Sequence, residues 1–316
     1  MQPGSRSVEP KGPPSVLVIR GGAIGDFILT LPAIRLIRKS IPGCHLEVLG
    51  YPGIVDLAVK AGLAEAARNL EHRTMAALFA RAAAIDEGLA EYLRGFNLVV
   101  SYLYDPDGHF RGSLERVGVK TLVECPHRVE AGKGHAAAQL ARPLERLAMY
   151  LDEGDLRAAL FPQQRGTNGG RRRVAMHPGS GSKSKNWPLA NWLEVGRRIA
   201  EREDCELVVI TGEAEAERGV TAEIAEAWQG LRYEAWEGVW LPELADRLGT
   251  CGLFLGHDSG ISHLAAACEV PCVLLFGPTE PDLWAPPQAG VRVLRAPEGD
   301  LAQVEVAEVL AEAGLR

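Results

Sequence analysis

The chain has 316 residues, too many for one ordinary core, and a length of this order suggests about two domains. Hydrophobic residues make up 47% and charged residues 24%, the balance of a soluble globular protein rather than a disordered or fibrous one. A net charge of −7 argues against general nucleic-acid binding but leaves room for a local basic patch facing an acidic ligand. No run reaches the roughly 18 apolar residues that cross a bilayer. The opening MQPGSRSVEPKGPPS lacks the apolar centre of a secretory signal, and residues 1–14 are expected to be a disordered tail.

Short β-branched runs alternate with helical patterns, which predicts α/β domains built on mostly parallel sheets. Residues 16–20 (VLVIR) read as a buried strand, followed by a Gly-rich turn and a helix over 26–39. In that helix Phe27, Ile28, Leu31, Ile34 and Ile37 recur at helical spacing. Strands are expected at 46–50 and 97–101, with a long Ala-rich helical region over 74–94 between them. The second half repeats the design: strand 173–176, helix 191–202, strand 206–210, helix 214–227, helix 241–248, strand 252–255, helix 261–268 and strand 271–276. The polar and Gly-rich stretch 161–171 reads as a linker. It separates a first domain, 15–160, from a second, 172–316, whose last helix is expected to pack back on the first.

Six cysteines (44, 125, 205, 251, 268 and 272) are scattered without a C-x-x-C pair. Cys268 and Cys272 have helical spacing, but Pro271 lies between them and opens an apolar run. Buried free thiols of a reducing compartment are expected, and no metal site.

Four strand exits carry chemistry. The first is Arg20-Gly21-Gly22-Ala23-Ile24-Gly25-Asp26. Its spacing is not that of the dinucleotide fingerprint G-x-G-x-x-G. Asp26 sits where the turn meets the helix, either as a helix cap or as a general base beside an incoming nucleophile. The second runs from His177 to Pro188, HPGSGSKSKNWP. Its glycines, hydroxyls, Lys183 and Lys185 offer what a diphosphate needs, although a solvated basic loop has the same composition. It lacks the G-K-[ST] ending of a Walker loop, which excludes that kind of ATPase. The third, Thr211-Gly212-Glu213-Ala214-Glu215-Ala216-Glu217, either holds ribose hydroxyls or, as its charge pattern favours, forms the acidic first turn of a helix. The fourth is His257-Asp258-Ser259-Gly260 feeding an alanine-rich helix. There Ser259 is an N-cap or, with the free first-turn amides, part of a phosphate site. Phe276-Gly277-Pro278-Thr279 beside it is by itself a turn signal.

Taken together, the order and spacing of G-D-x-x-x-T-L-P-A (25–33), H-P-G-x-G with K-x-W-P (177–188), D-S-G-x-x-H-x-A-A (258–266) and F-G-P-T (276–279) resemble glycosyltransferase family nine, the ADP-heptose heptosyltransferases of lipopolysaccharide core assembly. The resemblance covers roughly residues 16–286. It implies a GT-B fold of two facing Rossmann-like domains, acceptor side first and donor side second. The implied reaction is an inverting, metal-independent transfer from an ADP-sugar, with that sugar as co-substrate and no cofactor. Asp26 is then the base. Lys185, with Ser180 and Gly181, neutralises the departing diphosphate. Asp258 contacts the sugar, Ser259 and Gly260 the phosphate, Glu215 the ribose and Trp240 the adenine, and His263 completes the donor motif. Gly25, Arg111 and Arg128 are acceptor-side candidates. Two departures from the family lie on that side: Leu29 replaces a usual His, and a D-L-Q-G-like stretch is replaced by Tyr104-Asp105-Pro106-Asp107-Gly108-His109-Phe110-Arg111. The resemblance implies a glycolipid or glycan acceptor, which these two departures set apart from the inner-core lipopolysaccharide sugar, and nucleic acid is not expected as a partner. The expected form is a cytoplasmic monomer with a peripheral contact to the inner membrane, for which Arg111, Arg116, Lys120, Arg128, Lys133 and Arg142 offer a basic surface. Two alternatives are a nucleotide-sugar-binding protein without turnover and a GT-B-shaped nucleotide-sugar epimerase.

Overall fold

The computed structural model describes residues 12–161 and 170–315. Most of the expected tail (1–11) and linker (162–169) lies outside the described residues. The chain divides into two compact units. Among the described residues, the first comprises those up to Gly21, Ala33–Arg128 and Pro143–Tyr150; the second comprises Gly22–Pro32, Val129–Arg142 and those from Leu151 on. Helix Ile24–Ser40 contributes its first turns, as far as Pro32, to the second unit.

The first unit holds a five-stranded sheet of β1 (Ser15–Arg20), β2 (His45–Gly50), β3 (Ala66–Asn69), β4 (Leu98–Ser101) and β5 (Leu122–Glu124). Its order is β3-β2-β1-β4-β5, and every pairing is parallel. The second unit holds β6 (Arg172–Met176), β7 (Cys205–Thr211), β8 (Tyr233–Glu237), β9 (Leu253–His257), β10 (Cys272–Phe276) and β11 (Val291–Arg295), in the order β11-β10-β9-β6-β7-β8, again all parallel. Both orders reverse direction beside the first strand of the sheet, between β1 and β4 and between β6 and β9. In open α/β sheets that is the place, at the carboxyl ends of the strands, where ligands bind.

The central strands are buried on both faces, which is why they read as continuous Val, Ile and Leu runs. In the first core Leu17, Ile19 and Val99 meet Leu89, Leu93, Phe110 and Leu114. In the second, Val174, Leu207, Val209, Leu253 and Leu275 meet Trp187, Trp192, Ile199 and Trp228. The last helix, Val306–Glu312, packs on helix Leu189–Ala200 and seats Val309 and Leu310 in the second core. All six cysteines are free and buried. Among the described residues no helix is long and apolar enough to cross a membrane.

Two helical expectations break. The stretch 74–94 is a 3-10 helix, Arg73–Phe79, then irregular chain with Ala82 at φ 54°, then a helix, Glu87–Arg94, capped by Asp86 through Leu89 N–H. The stretch 214–227 is two helices, Glu213–Glu217 and Val220–Ala227, because Gly219 takes φ 76°, a left-handed turn that ends the first.

Candidate active site

The exits of β6 and β9 meet in one cleft of about 210 Å³. Ala23, Gly25, Asp26 and Leu29 form one wall; Gly181, Lys185, Asp258, Ser259, Gly260, His263 and Trp284 form the rest. All belong to the second unit, which takes in the turn before helix Ile24–Ser40.

The Asp26 carboxylate accepts the Ala23 N–H at 3.3 Å, so it caps the turn while standing on the cleft wall. The two readings of this residue are therefore compatible. Opposite, Ser259 is the N-cap of helix Gly260–Ala267 and accepts the Ser262 N–H at 3.3 Å. Gly260 is glycine because of a close approach: a Cβ there would lie 2.6 Å from Ile24 Cβ and 3.0 Å from Gly25 N. The amides of the first helical turn, without partners inside the helix, thus come close to the Gly25-Asp26 turn.

Lys185 reaches the cleft from a loop pinned on both sides. Ser180 Oγ donates to Ser182 O at 2.8 Å and lies 2.5 Å from Asn186 Oδ1, while Lys183–Lys185 forms a 3-10 turn. Beyond it Trp187 is buried, edge-on to Trp192, with its indole N–H donated to Val304 O at 3.0 Å. The Lys185 ammonium then sits 2.7 Å from Asp258 Oδ2. This ion pair joins residues 73 positions apart. It aims a flexible side chain and holds a carboxylate and an ammonium side by side in a largely buried place.

His257 organises this arrangement without lining the cleft. Its Nε2 accepts the Trp187 N–H at 2.7 Å and the Trp192 indole N–H at 3.2 Å, so the proton is on Nδ1, which lies 3.3 Å from Gly179 O. Burial pushes its pKa down to about 3. A histidine held below its unfolded value near 6.5 contributes stability that is fully present above pH 6.5 and is lost as the pH falls towards 3. His257→Ala leaves two buried N–H groups without acceptors and is expected to cost about 2–5 kcal/mol. It should also flatten the acid limb of a plot of melting temperature against pH, which differential scanning calorimetry would read.

His263, in the first turn of its helix, is buried, and burial carries its pKa down to about 4 despite the Asp258 carboxylate. It faces the cleft as a neutral imidazole at pH 7, able to donate one hydrogen bond to a ligand.

The remaining sequence candidates are placed differently. Ser180 is buried and bonded within its own loop, off the cleft wall, whereas Gly181 lines it. Glu215 is turned inward: Oε2 accepts the Gly212 N–H at 2.9 Å and lies 3.7 Å from His177 Nε2, and its other oxygen packs where any Cβ on Gly179 would overlap it. Burial opposes its charge, but His177 and backbone N–H groups hold its pKa down at about 2. Trp240, just before helix Leu241–Leu248, is 57% exposed and does not line the cleft. Arg111, paired with Glu124 at 3.4 Å, and Arg128 belong to the first unit. Within the six-residue basic surface, Arg111, Arg116, Lys120 and Arg128 lie in the first unit and Lys133 and Arg142 in the second. The sequence names His257 only as the residue before Asp258-Ser259-Gly260 and assigns it no role, and it misses Trp284, which the F-G-P-T turn and helix Pro281–Trp284 deliver to the cleft.

A model of glycosyltransferase family 9 (heptosyltransferase) matches residues 126–313. Lipopolysaccharide heptosyltransferase 3 of Escherichia coli is 31% identical over 292 residues, covering 83% of each chain. Among solved structures, a family 9 glycosyl transferase from Veillonella parvula superposes with a TM-score of 0.77 at 18% identity, covering 95% of this chain and 96% of that one. The E. coli heptosyltransferase WaaC with ADP superposes at 0.70 and 19%, covering 95% and 99%. The two parallel sheets and these likenesses show the GT-B fold. With a family model across well over half its length and a relative of this identity across most of both chains, the chain is a glycosyltransferase and belongs to family 9, the heptosyltransferase family.

Proposed function

We propose that the chain transfers a heptosyl residue from an ADP-linked donor to a hydroxyl of a lipopolysaccharide-core or related glycan, with inversion and without a metal ion. The observation that carries this reading is the meeting of Asp26, Lys185, Asp258 and the first turn of helix Gly260–Ala267 in one cleft. Asp26 takes the proton of the acceptor hydroxyl while the hydroxyl oxygen bonds to the anomeric carbon. The anomeric bond to the diphosphate breaks, and its electron pair goes to the phosphate oxygen. Lys185 and the helix amides stabilise that charge where a metal would otherwise serve. Asp258 holds sugar hydroxyls and keeps Lys185 in place, and His263 donates to the sugar or phosphate. Glu215 and Trp240 are assigned to ribose and adenine on the family resemblance. A cytoplasmic monomer with a peripheral contact to the inner membrane belongs to the same reading.

The donor half is supported by the E. coli relative solved with ADP, and the acceptor half by the lipopolysaccharide named in the E. coli relative. A thermal-shift panel tests the donor: ADP is expected to raise the melting temperature more than UDP or GDP at equal concentration, and EDTA is expected to leave the transfer rate unchanged. A larger shift with UDP or GDP would overturn the ADP assignment, and a rate abolished by EDTA would overturn metal independence.

A further inference from the structure

Behind the cleft wall the exits of β7, β6 and β9 carry a line of buried polar side chains: Glu215, His177, Ser259 and Ser262. All four belong to the second unit, and only Ser259 also lines the cleft. His177, the first residue of the HPGSG loop, stands in the middle. Its Nε2 lies 3.7 Å from Glu215 Oε2 and its Nδ1 3.4 Å from Ser259 Oγ. The backbone sets its place: the His177 N–H donates to Leu255 O at 2.9 Å, which carries the pairing of β6 with β9 one residue past the strand end. The place of Glu215 is set as firmly. It accepts the Gly212 N–H at 2.9 Å, and the missing side chain at Gly179 leaves room for its carboxylate.

The direction of each hydrogen follows from its neighbours. Burial opposes the charge of Glu215, but His177 and backbone N–H groups hold its pKa down at about 2, so it is ionised at neutral pH. An ionised carboxylate offers only acceptors, and the ring nitrogen that faces it is therefore the one that bears a proton. On the other side, the Ser262 hydroxyl donates to His257 O at 2.5 Å, and the Ser262 N–H donates to Ser259 Oγ at 3.3 Å. The Ser259 proton then has two destinations, Ser262 Oγ at 3.1 Å and His177 Nδ1. Ser259 Oγ is the one hydrogen-bond partner of Nδ1 among the described residues, so a proton sent to Ser262 would strand a buried acceptor. Sent to Nδ1, it satisfies both ends.

We propose that His177 is a positioning residue of the donor site: with its proton on Nε2 towards Glu215 and its Nδ1 accepting the Ser259 hydroxyl, it locks the serine that caps helix Gly260–Ala267. The inference rests on the donor reading for its consequence. Ser259 is the N-cap, with its oxygen on the Ser262 N–H, so its rotamer sets how the free amides of the first turn and the neighbouring Asp258 face the cleft. His177 thereby acts on the diphosphate without touching it. Glu215 gains a second effect, since a carboxylate assigned to the ribose reaches the phosphate end of the donor through one imidazole.

The test separates the two ring nitrogens. Asparagine at 177 places an amide oxygen where Nδ1 stands and nothing at Nε2; glutamine places an amide N–H near Nε2 and nothing at Nδ1. The probe is inorganic pyrophosphate, which has no ribose, titrated into the full chain by calorimetry. His177→Gln should bind it about tenfold more weakly than the parent, the effect of one hydrogen bond. His177→Asn should recover affinity to within about threefold, while melting at a lower temperature because Glu215 loses its donor. In a Ser259→Ala background His177→Gln should weaken binding no further, because the serine through which it acts is gone. Histidine-selective nitrogen NMR of the parent, with the His177 signal identified by its absence from either variant, should find the proton on Nε2 and a bare Nδ1. A protonated Nδ1 overturns the proposal, as do equal losses of affinity in the two variants, which would make His177 part of the fold alone. A parent that binds no pyrophosphate takes down the donor reading and the role built on it. Pyrophosphate bound alike by the parent and both variants takes down only the role of His177.

Discussion

Replacing Asp26 with asparagine is expected to lower kcat by about 10²–10⁴-fold, the usual contribution of a positioned general base, while ADP binding and the melting temperature stay at parental values. The reason for that separation is on the cleft wall. The Asp26 carboxylate accepts the Ala23 N–H, and the amide oxygen of asparagine can accept the same bond, so the cap survives. What is lost is the capacity to take a proton. Asp26→Ala would remove both functions and mix a stability effect into the kinetics. Steady-state kinetics of Asp26→Asn, with ADP titrated by calorimetry, checks the prediction, and transfer at the parental rate would remove Asp26 from the mechanism.

Lys185→Ala should show a double effect. Its kcat is expected to fall about 10²–10³-fold, because the charge that develops on the leaving diphosphate loses its nearest fixed cation. It should also be less stable by about 1–3 kcal/mol, since Asp258, only 8% exposed, is left buried without its partner. The Lys185 side chain is 31% exposed, which keeps the cost below that of a fully buried pair. The double variant Lys185→Ala/Asp258→Asn removes the stranded charge. It should regain most of the lost melting temperature and none of the activity. Recovery of both would mean that Lys185 serves the fold and not the reaction.

How far the sequence could be read depends on what each feature requires. The inner strands β1, β2, β4, β6, β7, β9 and β10 were legible because burial on both faces demands unbroken apolar runs. The edge strands β8 (YEAWE) and β11 (VRVLR) and the short β3 (AARN) were not, because an outer strand tolerates charge and shows no such run. The alanine-rich stretch 74–94 misled for a related reason. Alanine favours helix on propensity alone, but Met75 and Leu78 on one side and Leu89 and Leu93 on the other are drawn separately into the core, with a kink at Ala82 between them.

The candidate site was legible where it depends on local geometry. Asp258-Ser259-Gly260 was recognisable as a helix entry, and Asp26 as a carboxylate at a strand exit, with cap and base left open between them. Nothing in the sequence pairs Lys185 with Asp258, which only the neighbouring positions of β6 and β9 bring within 2.7 Å. Nothing local shows that His257 carries three contacts under the lysine loop, or that Glu215 turns inward to His177. These are properties of the folded sheet, not of spacing.

In the proposed reaction Asp26, Lys185 and the first turn of helix Gly260–Ala267 together move a sugar from ADP to an acceptor hydroxyl. It is tested most directly by incubating the full chain with ADP-heptose and a heptose-free lipopolysaccharide core glycolipid and following both products by mass spectrometry. The expected result is an acceptor heavier by one heptosyl residue and one ADP released for each transfer, with both signals nearly absent in Asp26→Asn. An unmodified acceptor, with ADP released only by hydrolysis or not at all, would contradict it.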